Sequence, residues 1–164
     1  MRRWMRGLVL FGAGLVLGMV TIKSIEAQQE KRLGLQVEHV GIAVKNLQES
    51  VDYYTKTLGM RSAFVFGNRD GNPGINVIQV NKDTFLELSQ ATADRPVGLN
   101  HLGLETKNMN ETEAELKKRG VAISEISTAN TDAPHSFFTD PNGVRIEVIE
   151  IAPNSLQRKA IDSY

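Results

Sequence analysis

Val37–Ser50, VEHVGIAVKNLQES, and Leu99–Thr112, LNHLGLETKNMNET, decide how this 164-residue chain folds. They are one segment written twice. His39 returns 62 residues later as His101, Gly41 as Gly103, and Lys45, Asn46 and Glu49 as Lys107, Asn108 and Glu111. Each copy then runs on to an apolar stretch holding one carboxylate, FLEL around Glu87 and RIEV around Glu147. A duplicated module that returns a His and a Glu each time can build a cage of two histidines and two glutamates between its halves.

Working outward, Gln36–Val44 alternates as a strand does, with His39, Gly41 and Ala43 on one face. Asn46 followed by Glu49 is a capping-box start. Leu47, Val51, Tyr54 and Leu58 recur at helical spacing, and Gly59 stops the helix. Strand-like runs follow at Ser62–Phe66, Ile75–Val80 and Thr84–Ser89, with the loop GNRDGNPG between the first two. Gln90–Gly98, carrying Asp94, Pro96 and Gly98, reads as a linker. The second copy repeats the order: a strand over Leu99–Thr106, a helix capped by Asn108 and Glu111 and ended by Gly120, and strands at Ala122–Ile126, Ser136–Thr139 and Val144–Ile151. The expected fold class is α+β, with βαβββ modules at 36–90 and 98–151 and a polar tail, a short helix or disordered, at 152–164.

Both glutamates lie in runs apolar enough to be core. A lone carboxylate there is unfavourable unless it is paired, hydrogen-bonded or coordinating a metal. Two imidazoles with two carboxylates suit Zn²⁺, Ni²⁺, Co²⁺, Fe²⁺ or Mn²⁺, chosen by geometry and supply. His135 is a candidate substrate hydrogen-bonder at the mouth of the cage, an exposed loop residue being the alternative. Phe64, Phe66, Phe137 and Phe138 line an apolar pocket or fill the core. Asn68, Arg69 and Asp70 stand in the Gly-rich loop, where a lid would lie.

Composition narrows the partners. The first 27 residues hold Arg2, Arg3, Arg6 and Lys23 against Glu26; the remainder keeps 15 basic and 18 acidic residues, a net of −3. A weakly acidic domain offers no electrostatic attraction to nucleic acid. Cysteine is absent, which excludes disulfides, thiolate nucleophiles and cysteine-ligated metal. Residues 1–27 have the form of a secretory signal: a basic head, MRRWMRG, then an uncharged run of 15 residues from Leu8 to Ile22, shorter than the roughly 20 of a comfortable membrane span. A periplasmic or secreted domain is expected, with the membrane as a partner only where the segment stays uncleaved as an anchor.

From Val37 to Ile151 the chain resembles the vicinal oxygen chelate superfamily of glyoxalase I, bleomycin-resistance proteins and extradiol dioxygenases. The matching motifs are VEHVGIAV, YYTKTLGM, NHLGLET and TDPNGVRIEVIE. The resemblance implies two paired βαβββ modules curled into a cup-shaped mixed sheet around a metal. The ligands it implies are His39 on the first strand, Glu87 on the fourth, His101 on the fifth and Glu147 on the eighth. It is closest to glyoxalase I-like members, which carry Glu where Glu87 stands. Dioxygenases have no carboxylate ligand there, and epimerases often have Gln or His.

This implies a metal-dependent isomerase or lyase acting on a small carbonyl substrate, with Glu147 as the base and Glu87 as its partner on the opposite face. A non-enzymatic binder of the bleomycin-resistance type is the alternative, and an extradiol dioxygenase the third reading. Bacterial glyoxalase I places an arginine four residues after the first histidine, to hold glutathione. Here that position is Ala43, with Lys45 on the same face as the candidate substitute, so the implied substrate is not a glutathione adduct. Closure of the cup within one chain and closure in a homodimer are both open.

Overall fold

A computed structural model describes residues 32–67, 73–128 and 130–164. The expected signal segment at 1–27 and the expected lid residues Asn68, Arg69 and Asp70 lie outside the described residues. Gly34–Tyr164 forms one compact unit. In chain order it contains β1 (Gln36–Val44), α1 (Leu47–Asp52) running into a π-helical turn (Tyr53–Thr57), β2 (Arg61–Phe66), β3 (Ile75–Asn81), β4 (Thr84–Gln90), β5 (Gly98–Thr106), α2 (Met109–Lys118), β6 (His135–Thr139), β7 (Arg145–Glu150) and α3 (Leu156–Asp162).

The strands form one mixed sheet in the order β2-β3-β4-β1-β5-β7-β6. Its centre is the seam between the copies, where β1 and β5 run antiparallel. Each is flanked by the strand that carries its own module's glutamate, in parallel: β4 beside β1 and β7 beside β5. Both modules thus contribute to one continuous sheet within the chain.

The helix caps are those the sequence indicates. Asn46 Oδ1 accepts from the Glu49 N–H at 3.2 Å and Asn108 Oδ1 from the Glu111 N–H at 3.1 Å, satisfying donors that a first helical turn leaves free. Gly59 and Gly120, past the helix ends, have φ of +69° and +80°, a conformation unfavourable for residues with a Cβ.

Val77 and Ile78 are adjacent on β3 and point to opposite faces, so the first module packs on both sides. Ile78 and Leu88 pack with Leu47, Val51 and Tyr54 of the α1 segment. Val77 and Phe85 pack with Ala160 and Ile161 of α3. The polar-looking tail thus takes the helical of its two expected forms and buries its apolar side against the other module. Arg61 fixes its end, donating to the Ser163 and Ala160 carbonyls at 2.6 and 3.1 Å, a favourable place for a cation.

One expected strand is absent. Ala122–Ile126 lies beside β6 but does not pair as a ladder. The Ser124 hydroxyl accepts from the Phe137 N–H at 3.0 Å, and the Ser124 N–H donates to the Phe137 carbonyl at 2.8 Å. Regular pairing returns only as an isolated bridge between Ser127 and His135. Serine hydroxyls here compete with the backbone for strand hydrogen bonds. Glu147 consequently sits on the seventh described strand, not an eighth.

Candidate metal centre and adjoining cavity

The seam strands carry matched irregularities. On β1, Val37 pairs with Leu104 and His39 with Gly103, leaving Glu38 as an inserted residue; on β5, Leu99 pairs with Ile42 and His101 with Gly41, leaving Asn100 inserted. Such bulges re-aim side chains. Here each seats a polar group behind a histidine. The Glu38 carboxylate meets His39 Nδ1, and Asn100 Oδ1 lies 2.9 Å from His101 Nδ1. With Nδ1 of both rings engaged, both Nε2 atoms face inward.

The repeated glycines admit the rings. A Cβ on Gly103 would clash with the His39 ring, and one on Gly41 with the His101 ring. Each module's His-x-Gly therefore supplies one ring and the space for the other module's ring. The two imidazoles stand edge to face, centroids 4.9 Å apart.

Four side chains from four strands converge there. His39 Nε2 lies 2.8 Å from His101 Nε2. Glu147 Oε2 is 3.5 and 3.3 Å from those two nitrogens, and Glu87 Oε2 is 3.9 and 3.5 Å away. All four residues are buried, Glu147 the most exposed at 8%. His39, Glu87 and His101 offer donor atoms within 4.8 Å of one another, a cluster able to hold a metal ion. Ligands about 2.1 Å from one ion lie roughly 3.0–3.4 Å apart in octahedral or tetrahedral geometry. The observed spread from 2.8 Å to 3.9 Å brackets that spacing, so the donor set fits a divalent cation in size and in chemistry.

The electrostatics agree. Burial opposes charge on His39, but Glu87, Glu147 and Glu38 outweigh it and hold the ring's pKa well above 6.5. Burial likewise opposes charge on His101, and hydrogen bonds to Glu147 and Glu87 raise it. Burial pushes Glu147 up, but hydrogen bonds from His101 and His39 and their charges bring it down to about 2. Glu38 is pushed up by burial, and its second oxygen is buried with no hydrogen-bond partner. Protons here stand in for a cation, and a metal would displace them.

A cavity of about 220 Å³ opens on the cluster, lined by Glu87, His101 and Glu147 and, among others, by Phe66, Ile75, Phe137 and His135. His135 Nδ1 is 3.0 Å from the Ala133 carbonyl. Because a carbonyl only accepts, Nδ1 carries the hydrogen and donates it to Ala133, which leaves Nε2 as the ring nitrogen without that bond. His135 is thus brought to the site. Phe64 belongs to the core, and Phe138 faces an open groove on the other side of β6.

Lys45 is not brought in. It is exposed beyond the end of β1, and its carbonyl accepts from Gln90 Nε2 at 2.7 Å. Its recurrence as Lys107 marks the end of a strand in each copy. Glu38 and Asn100 were not singled out by the sequence reading, because strict alternation assigns them to the face opposite the histidines. Their shared position, each just before a histidine, was the available signal.

Comparisons with known proteins agree with this architecture. A family model described as Glyoxalase/Bleomycin resistance protein/Dioxygenase superfamily matches residues 36–148. Among solved structures, methylmalonyl-CoA epimerase from Mycobacterium tuberculosis is similar at 22% identity and a TM-score of 0.61, over 71% of this chain and 88% of that one. A Streptomyces coelicolor methylmalonyl-CoA epimerase variant in complex with 2-nitronate-propionyl-CoA is similar at 19% identity and a TM-score of 0.61, over 73% and 96%. A hypothetical protein from Bacillus halodurans C-125 is similar at 18% identity and a TM-score of 0.59, also over 73% and 96%. No match was found among curated proteins. With the match running from the first residue of β1 into β7 and taking in all four clustered residues, the chain belongs to the glyoxalase/bleomycin resistance protein/dioxygenase superfamily.

Proposed function

We propose that this protein is an exported, metal-dependent isomerase or lyase of the glyoxalase type, moving a proton at a carbon beside a carbonyl. The observation that carries the reading is the convergence of His39, Glu87, His101 and Glu147 at the floor of a small cavity. These four would hold the ion, which when bound supplies Lewis-acid polarisation of a substrate carbonyl. The shared fold with methylmalonyl-CoA epimerases is compatible with an isomerase.

The chain's own residues divide the rest of the work. Glu147 takes the proton and returns it, and Glu87 serves the opposite face. Glu147 is held low by charge on the two histidines. A metal would take the place of that charge, so Glu147 stays ionised and able to accept a proton. His135 hydrogen-bonds the substrate through Nε2. Phe66, Ile75 and Phe137 limit water. Ala43 lacks the arginine expected of a glutathione-binding glyoxalase, so the substrate is a small carbonyl compound free of glutathione. Export follows from the basic head and apolar run of residues 1–27.

The test is exchange in heavy water. Protein purified without chelators is incubated with a panel of 2-oxo and 2-hydroxy carbonyl compounds, and deuterium entering the carbon beside the carbonyl is followed by NMR. The expected result is exchange with at least one compound, abolished by EDTA and by Glu147→Gln. Saturable binding without exchange, surviving EDTA, would place the protein among the non-enzymatic binders. Oxygen consumption with catechols and Fe²⁺ would place it among the dioxygenases.

A further inference from the structure

Two residues that line the cavity belong to neither repeat. Arg95 sits in the linker between modules, in a short turn closed by Thr92 N–H to Arg95 O at 2.9 Å and Arg95 N–H to Thr92 O at 3.2 Å. One Nη donates to the Gln90 carbonyl at 3.2 Å. Its Nε is buried without a hydrogen-bond partner, and among the described residues no carboxylate pairs with it. Gln157 lies on α3, beyond residue 148 where the family match ends. It is 2% exposed, and its Oε1 is buried with no partner. A half-buried guanidinium without a counter-charge and a buried acceptor without a donor are both unfavourable unless something in the cavity completes them.

From this pair we infer that the wall formed by Arg95 and Gln157 is the recognition end of the site, and that it selects a small acid carrying a carboxylate for Arg95 and a hydroxyl donor for Gln157. The inference rests on the proposed metal site for its charge balance: a divalent ion with two neutral histidines and the carboxylates of Glu87, Glu147 and Glu38 sums to −1. The guanidinium of Arg95 then brings the site to neutrality. Arg145 adds charge at the rim, its guanidinium 3.7 Å over the Phe137 ring. Guanidinium groups match carboxylates in geometry as well as in sign. The cavity's 220 Å³ is below the roughly 300–1,000 Å³ of pockets for drug-sized ligands, so the acid is small. Phe66, Ile75 and Phe137 give it an apolar side. The placement also accounts for α3: by packing on Val77 and Phe85, the face that also carries Glu87, it delivers Gln157 to a site built by other elements.

The experiment is calorimetric titration of the Co²⁺-loaded full chain with lactate and mandelate, against their neutral amides lactamide and mandelamide. The expected result is saturable binding of at least one acid, at least tenfold tighter than its amide. Arg95→Met should weaken the acid at least tenfold and erase the preference over the amide. Gln157→Leu should weaken both about fivefold and keep the preference. Co²⁺ absorption spectra of both variants should match the parent, which separates lost recognition from a lost fold. Equal binding of acid and amide, an Arg95→Met variant that binds like the parent, or no binding of either acid overturns the inference. Should the parent take up no Co²⁺ yet still bind acid through Arg95, the recognition wall stands and the metal reading fails.

Discussion

The two modules do the same job with different supports. Among the described residues, the first has four regular strands, α1, and a carboxylate behind its histidine. The second has three regular strands, a serine-bonded segment in place of the fourth, and an amide behind its histidine. What they share is what forms the cage: a bulge before the histidine, a glycine two residues after it, and a glutamate on a parallel neighbouring strand. Where they differ, the ligand geometry is left alone and its surroundings change. Glu38 makes the environment of His39 more anionic than Asn100 makes that of His101. The duplication therefore fixes where the ligands go, and the differences adjust how strongly each is held.

The shared parts should give the largest effects. Gly41→Ala or Gly103→Ala would drive a Cβ into the opposite ring. Each is expected to lower stability by about 3 kcal/mol, the upper part of the overpacking range, and to abolish metal retention. Equal losses from the two would confirm the reciprocal lock, and a silent variant would break it; thermal unfolding and elemental analysis read both.

Next comes the acid limb of the metal-free protein. Glu147 lies at about 2 in the fold against 4.5 ordinarily. A depressed carboxylate stabilises above its unfolded value, and that contribution is lost as pH falls from 4.5 toward 2. In EDTA the parent should lose about 3 kcal/mol over that window that Glu147→Gln does not lose. Parallel pH profiles for the two proteins would show that Glu147 is not held by the histidines.

Sharper still is the contrast behind the rings. Groups that orient a metal-bound histidine typically change affinity by about 10–100-fold when altered. Glu38→Gln should weaken metal binding more than Asn100→Ala does, since the first removes a charge and the second only a neutral acceptor. The reverse order would mean that bulge geometry, and not charge, is what matters. Smallest is Ser124→Ala, expected to cost about 1 kcal/mol through the lost hydrogen bond to the Phe137 N–H, with metal binding unchanged.

Much of this was legible in the sequence because repetition fixes register. Two copies of His-x-Gly, each followed by a strand bearing one glutamate, leave little freedom in where the four side chains meet. The caps at Asn46 and Asn108 were equally readable, since capping is local chemistry. What escaped was what breaks alternation or comes from outside the repeat. The bulges turn Glu38 and Asn100 toward rings that a regular strand would keep them from. Ser124 uses its hydroxyl where a strand uses backbone. Arg95 and Gln157 reach the cavity through a turn and through packing of α3 on Phe85, contacts between residues distant in sequence with no period to announce them.

The central claim is one metal site shared by the two modules. Its most direct test is the Co²⁺ stoichiometry of the parent and of His39→Ala and His101→Ala, read by absorption titration. One ion per chain in the parent, lost in both variants although they lie in different modules, is the predicted result. Undiminished binding in either variant would contradict it.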